Sequence, residues 1–231
     1  MPLVLQAAPP HAVHMSPLQI LRALDDAIMP VRCVFCGTRT HDGEGFICAE
    51  CVEDLPWNEA SPARSDSVFE GVIVPLAYEF PIDAAIKAFK FRRKLHYGPA
   101  FAQLLCGVSN ELPDDVDAVL PVPLHWRRKW WRGFNQALEI AKPLAKQLDL
   151  PVIDIARRHR ATPPQSGLSA KQRATNLRGA FRVQSTDTYE HVLIIDDVIT
   201  TGTTITQLGQ ALRRGGVTRI SAFALARSGE R

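Results

Sequence analysis

The feature that most constrains this chain is residues 192–204, which read VLIIDDVITTGTT. Val192, Leu193, Ile194 and Ile195 form an unbroken apolar run, which predicts a strand buried on both faces. Two carboxylates, Asp196 and Asp197, end that run. Val198 and Ile199 follow, then a loop of hydroxyl residues around Gly202. Beyond the loop, Ile205, Leu208 and Leu212 recur at helical spacing. The order is therefore buried strand, acidic pair, hydroxyl-rich turn, helix start.

That order suits a sugar phosphate. A helix start offers unpaired N–H groups and the positive end of a dipole to an anion. Gly202 lets the backbone approach closely, and Thr200, Thr201, Thr203 and Thr204 add hydroxyl donors. Adjacent carboxylates would repel a phosphate unless they bind something else. Vicinal sugar hydroxyls can donate to them, and Mg²⁺ can share them. A ribose 5-phosphate would thus lie with its ring over Asp196 and Asp197 and its phosphate on residues 200–204. The plain alternative is a strand–turn–helix with a threonine cap.

The meaning of the cysteines depends on compartment. No run of about eighteen apolar residues is present, so no membrane span is expected. The N-terminus lacks a basic stretch leading into an apolar core, so no signal peptide is expected either. The expected location is cytoplasmic, where thiols stay reduced. Cys33 and Cys36 then pair with Cys48 and Cys51 as two Cys-x-x-Cys knuckles, eleven residues apart. Such a tetrathiolate pattern predicts a structural zinc ribbon, with no coordination position left open for chemistry. Cys106 lies alone in an apolar helical stretch and reads as core.

Length and composition allow one mid-sized domain and something small: 231 residues, 46% hydrophobic. A formal charge of +3 neither demands nor excludes nucleic acid. The expected organisation is an N-terminal tail and short helix over 1–29, the ribbon over 30–57, a linker, and the larger α/β domain over 67–231. Residues 68–80 predict one or two strands, and Pro81 opens a helix through Phe89. Lys87, Lys90, Arg92, Arg93 and Lys94 cluster at its end, either as a solvated basic face or as a polyanion contact. Residues 117–120 predict a second buried strand.

Pro121-Val122-Pro123-Leu124-His125 follows that strand, then Arg127, Arg128, Lys129, Trp130, Trp131, Arg132, Gly133, Phe134, Asn135 and Gln136. A helix to about Leu148 is expected next, with Ala137, Ile140, Ala141, Leu144, Ala145 and Leu148 inward. Trp126, Trp130 and Trp131 sit among basic residues, a composition that can stack unpaired bases. The expectation here is half-buried rings supporting the arginines. His125 reads as a structural hydrogen-bonder. Residues 152–155 predict a short strand. Residues 157–178 are donor-rich, with Arg157, Arg158, Arg160, Gln165, Lys171, Arg173, Asn176 and Arg178 around a Thr-Pro-Pro-Gln-Ser-Gly core that suits a mobile hairpin. Gly215-Gly216 caps the helix after the hydroxyl loop, and residues 217–225 predict the last strand.

The run at 192–204 resembles the phosphoribosyl pyrophosphate (PRPP) motif of type I phosphoribosyltransferases. The paired Cys knuckles, the Pro-Val-Pro…Arg-Gly-Phe-Asn-Gln run, Arg158, Arg160, Gln165, Arg173, Asn176 and the PRPP motif together resemble the ComF competence family, in the family's order. The resemblance covers nearly the whole chain from about Met29. It implies a mostly parallel sheet flanked by helices, behind a zinc ribbon. It implies PRPP binding with Mg²⁺ by Asp196, Asp197, Val198, Thr200, Thr201, Gly202, Thr203, Thr204, Pro123 and Leu124, with a cis or strained peptide near Pro121–Leu124. Arg132, Arg158 and Arg160 are the implied cations for the departing pyrophosphate, and the loop around 157–178 the implied cover over PRPP. A role in natural transformation is implied, with single-stranded DNA, a competence helicase or a recombination-loading protein as partners. Nothing resembles a purine-clamping hood, nor the N-terminal catalytic cysteine of glutamine amidotransferases, since Cys33 belongs to the ribbon. Two functional classes follow: a glycosyl transfer enzyme using PRPP, or a binding module that uses the same pocket to sense a nucleotide or phosphate.

Overall fold

In the computed structural model of the protein, residues 30–40, 44–58, 68–159, 179–184 and 188–229 are described. The expected N-terminal helix, the linker from residue 59 and the donor-rich segment 157–178 from residue 160 onward lie outside them.

The long apolar runs become the centre of a parallel sheet. Its strands are β1 (Gly71–Ile73), β2 (Leu76–Ala77), β3 (Ala118–Pro121), β6 (His191–Ile199) and β7 (Arg219–Arg227). They lie in the order β1, β7, β6, β3, with β2 also on β7, and every pairing is parallel. A separate antiparallel pair joins β4 (Ala156–Arg158) to β5 (Phe181–Val183).

Side chains alternate across a strand, so β6 feeds two cores. Leu193 and Ile195 point to one face, with Phe223 and Leu225 of β7. That face is covered by α2 (Ile82–Arg92), α3 (Tyr97–Gly107) and the buried side of α5 (Gln136–Gln147). Val192 and Ile194 point to the other face, where Ile205, Leu208 and Leu212 of α6 (Thr203–Arg214) meet them. Helices on both faces explain why these strands are apolar throughout rather than alternating.

The ribbon shares the first of these cores. Gly37, at φ +76°, closes the first knuckle, where its N–H donates to the Cys33 carbonyl at 2.9 Å. The second knuckle begins the short helix α1 (Ala49–Glu53). Cys33, Ile47, Cys48 and Leu55 pack with Phe89 and Phe101. The Phe46 N–H donates to Gln103 Oε1 at 2.8 Å, and the Tyr97 hydroxyl donates to the Val34 carbonyl at 3.3 Å. Phe101 is the hinge of this packing: Phe89 meets it edge-on and Tyr97 stacks on it, each with centroids 5.5 Å away. Replacing Phe101 by alanine is expected to cost about 3–5 kcal/mol through lost burial and a residual cavity. Urea unfolding would check this, and a loss below about 1 kcal/mol would mean the ribbon and the helical layer do not share a rigid core.

Four sequence expectations are corrected. Residues 152–155 form no strand; Val152 makes one parallel bridge to Val119, and the strand comes later, as β4. Its Ala-Arg-Arg sequence carries no apolar alternation, and pairing with β5 rather than hydrophobicity defines it. The peptides over 121–125 are trans; among the described residues the cis bond is Phe80–Pro81. The chain there continues the ladder, with the Val122 N–H donating to the Ile195 carbonyl at 2.9 Å. The helix opened by Pro81 runs on to Arg92, beyond Phe89. Finally, residues 126–132 form a helix of their own, α4 (Trp126–Arg132), and its tryptophans are not half-buried: Trp126, Trp130 and Trp131 are 63%, 84% and 65% exposed.

Candidate functional site

β6 delivers Asp196 and Asp197 to the carboxyl end of the sheet, where open parallel α/β folds bind ligands. Asp197 is buried. Its Oδ1 accepts from the Val198 N–H at 3.0 Å, and Asp196 Oδ1 accepts from the Asp197 N–H at 2.9 Å. The chain then turns through Gly202, at φ +75°, which stands at the cap position of α6. A left-handed residue at that corner is why glycine is needed there. The Thr206 N–H returns to the Gly202 carbonyl at 3.0 Å, while no side chain caps the helix. The first-turn N–H groups are thus left for an anion.

A cleft of about 370 Å³ opens over this corner, within the ordinary range for small-molecule sites. Asp196, Asp197, Val198, Thr200, Gly202, Thr203 and Thr204 line it, as do Leu124, Arg132 and Arg158. Thr201 is spent differently, its Oγ1 lying 2.8 Å from Thr203 Oγ1. Thr201 and Pro123 are not among the lining residues, and Arg160 lies outside the described ones. The cleft also gathers Lys90, from the basic cluster that the sequence offers as a polyanion contact, and Arg128, Asn135 and Gln136, which the sequence does not mark as site residues. Asn135 caps α5, accepting from the Ala137 N–H at 3.2 Å, and its amide donates to the Val122 carbonyl at 3.1 Å. That polar cap joins the loop after β3 to α5. Its signal was in the sequence, as an asparagine before an amphipathic helix.

The basic cluster on α2 divides. Lys87 pairs with Asp83 on the outside of the helix at 2.6 Å, whereas Lys90 reaches into the cleft and sits 2.5 Å from Asp197 Oδ2. Four cations therefore face two carboxylates across the cleft, an arrangement with excess positive charge for a polyanion. Burial, together with Asp197 alongside, pushes the Asp196 carboxyl up to about 8, and Lys90 opposes the rise. Burial pulls Arg158 down to about 10, reinforced by Arg128. Burial also lowers Arg132, against the pull of Asp197, and its guanidinium lies 5.4 Å from the centroid of Phe91. These arginines are desolvated and held by packing, as groups that act electrostatically must be. His125 is buried and its Nδ1 accepts from the Arg127 N–H at 3.3 Å, so it starts α4 rather than serving as a base.

The second cluster is Cys33, Cys36, Cys48 and Cys51, whose four sulfurs lie within 4.8 Å of one another. None is in a disulfide. A tetrahedral metal with bonds of about 2.3 Å would need sulfurs about 3.8 Å apart, and Cys36 and Cys48 sulfurs are 3.7 Å apart. The Thr38 side chain, hydrogen-bonded to the Cys36 sulfur, brings that thiol down to about 6, while burial drives Cys51 up. Four thiolates this close repel strongly unless a dication sits among them.

The fold is that of a phosphoribosyltransferase domain, and the family model described as phosphoribosyl transferase domain matches residues 135–231. The chain is 36% identical over 193 residues to DNA utilization protein YhgH of Salmonella typhimurium, covering 78% of each. It is 29% identical over 225 residues to Competence protein F of Haemophilus influenzae, covering 85% of this chain and 97% of that one. Among solved structures, orotate phosphoribosyltransferase from Aeropyrum pernix overlaps 61% of this chain and 66% of its own, at 24% identity and a TM-score of 0.39. The chain belongs to the ComF family, that of Competence protein F and YhgH. Among the described residues no helix is long and apolar enough to cross a membrane.

Proposed function

We propose that the cleft binds PRPP with Mg²⁺ and supports transfer of its phosphoribosyl group to an acceptor nucleophile. The observation that carries this reading is the acidic pair at the end of β6, Asp197 buried and Asp196 partly so, one turn before an uncapped helix start and opposite several sheltered cations. Asp196 and Asp197 accept hydrogen bonds from the ribose hydroxyls. Thr200, Thr203, Thr204 and the first N–H groups of α6 hold the 5-phosphate, a remote handle that positions C1. The carboxylates favour the oxocarbenium-like charge that develops on the ribose, and Arg132 and Arg158 face the leaving pyrophosphate. Asp196 and Asp197 would hold Mg²⁺ when it accompanies PRPP, and the ion would supply further charge neutralisation. Four thiolates at the ribbon hold Zn²⁺ structurally. Calorimetric titration with PRPP and Mg²⁺ tests the binding step: saturable one-to-one binding is expected, and no heat at millimolar ligand contradicts it. Release of pyrophosphate in the presence of candidate bases tests turnover.

The raised Asp196 carboxyl gives a sign to the pH dependence. Below its titration the group is protonated and accepts hydroxyl hydrogen bonds poorly. Affinity for PRPP is therefore expected to rise as pH rises through about 8, and that rise to flatten in Asp196→Asn. Measuring affinity against pH in both proteins checks it; an affinity that falls with pH contradicts it.

The names of the relatives, competence protein and DNA utilization protein, support a role in handling DNA; a cytoplasmic setting in natural transformation, with a helicase or recombination-loading partner, is our extension of that role. A second reading, a single-stranded DNA binding module, is favoured by α4. It places three exposed tryptophans among Arg127, Arg128, Lys129 and Arg132, with Arg127 5.3 Å from the Trp126 ring. Base stacking on an aromatic ring contributes about 1–3 kcal/mol. Replacing Trp126 and Trp130 by alanine is expected to weaken single-stranded DNA binding by about tenfold or more and leave PRPP affinity unchanged. Fluorescence anisotropy with a labelled oligonucleotide, run at several salt concentrations, checks it.

A further inference from the structure

Lys90 and the sugar hydroxyls address the same carboxylate. Asp197 Oδ1 is engaged by the Val198 N–H, and Asp197 Oδ2 lies 2.5 Å from Lys90 Nζ. Both side chains are mostly sheltered, at 21% and 10% exposure. A ribose whose hydroxyls bond to Asp197 must therefore compete with an ion pair. We propose that Lys90 is an exchangeable counter-ion that makes the cleft select a sugar carrying a diphosphate: it gives up Asp197 to the ribose hydroxyls and passes to the diphosphate. This inference rests on the PRPP reading above and adds a determinant of specificity to it.

The chemistry of the exchange favours lysine. Its ammonium is a compact charge on an unbranched stem, with rotatable donors, so the head can swing while the backbone stays still. Lys90 sits in the last turn of α2, where the helix dipole favours a cation in either position. A sheltered ammonium that loses its carboxylate without a new anion is strongly disfavoured. PRPP brings that anion at C1, and ribose 5-phosphate does not. The same pair holds Asp197's charge in check beside Asp196, so the two carboxylates remain tolerable as neighbours until hydroxyl donors arrive. Arg132 and Arg158 face the same cleft but are packed against Phe91 and Phe181, which fits them to be fixed contacts while Lys90 is the one that moves.

The test compares three probes by competition calorimetry: PRPP, ribose 5-phosphate and inorganic diphosphate, each with Mg²⁺. In Lys90→Met, PRPP and diphosphate are expected to weaken by about tenfold or more, the loss of one charge-assisted contact. Ribose 5-phosphate is expected to bind as before or more tightly, because its competitor for Asp197 is gone. Lys90→Arg keeps the charge and is expected to retain most of the preference for PRPP, which also guards against a folding defect in the methionine variant. Parallel weakening of PRPP and ribose 5-phosphate would overturn the exchange and leave Lys90 a structural ion pair; unchanged affinities would overturn it as well. A wild-type chain that binds neither sugar would instead overturn the proposed function, and this inference with it.

Discussion

The double substitution Asp196→Asn/Asp197→Asn is expected to weaken PRPP binding by about two to four orders of magnitude, since hydrogen bonds to charged acceptors contribute about 1.5–3 kcal/mol each. The amides keep the size of the side chains and part of their hydrogen bonding. They lose the charge that makes the ribose hydroxyls strong donors to them and that favours a cationic ribose. The fold should survive. Burying two carboxylates side by side is costly, as the raised Asp196 shows, and neutralising them removes that repulsion. Loss of the Lys90–Asp197 ion pair opposes that gain, so thermal stability at neutral pH is expected to change far less than ligand affinity. A drop in affinity with an equal drop in stability would point to a structural pair instead. An unchanged affinity would remove the acidic pair from the site.

Removing the metal expected at the ribbon should have the largest effect on the fold itself. Structural zinc contributes about 10–16 kcal/mol to small domains that depend on it. Here the effect should spread beyond the ribbon, because Cys33, Cys48, Ile47 and Leu55 lie in the same core as Phe89 and Phe101. A strong chelator, or Cys48→Ser, is expected to lower the melting temperature by more than about 10 °C and to expose α2 and α3 to hydrogen exchange. Since α2 carries Lys90, the loss should also reach the cleft. One zinc per chain by elemental analysis, lost together with stability, is the expected result. A chain that purifies without metal and melts at the same temperature with and without chelator would contradict it.

Much of the site was legible because its chemistry is local. Asp196, Asp197 and the threonines around Gly202 follow one another in the chain, and one strand–turn–helix places them together. The ribbon was legible for the same reason, since each knuckle spaces its own sulfurs. What the sequence leaves open or hides is assembled from distant segments. Lys90 shares a basic stretch with Lys87, and only the roll of α2 against the sheet sends one inward and the other outward. Asn135 and Gln136 belong to the Arg-Gly-Phe-Asn-Gln run, but their place at the cleft follows from α5 packing against β3. Helix α4 defeated periodicity altogether: its large apolar residues point to solvent, so no inward stripe marks it. β4 was missed because a strand of Ala-Arg-Arg is defined by its partner β5, and the two are separated by a long segment.

The central claim is that a ribose 5-phosphate group docks where β6 meets α6, and a crystal structure of the protein soaked with PRPP and Mg²⁺ tests it most directly. The account predicts the ribose hydroxyls against Asp196 and Asp197 and the 5-phosphate among Thr200, Thr203, Thr204 and the first N–H groups of α6. Ligand found elsewhere on the molecule, or a cleft without ligand in crystals that hold it at saturating concentration, would contradict it.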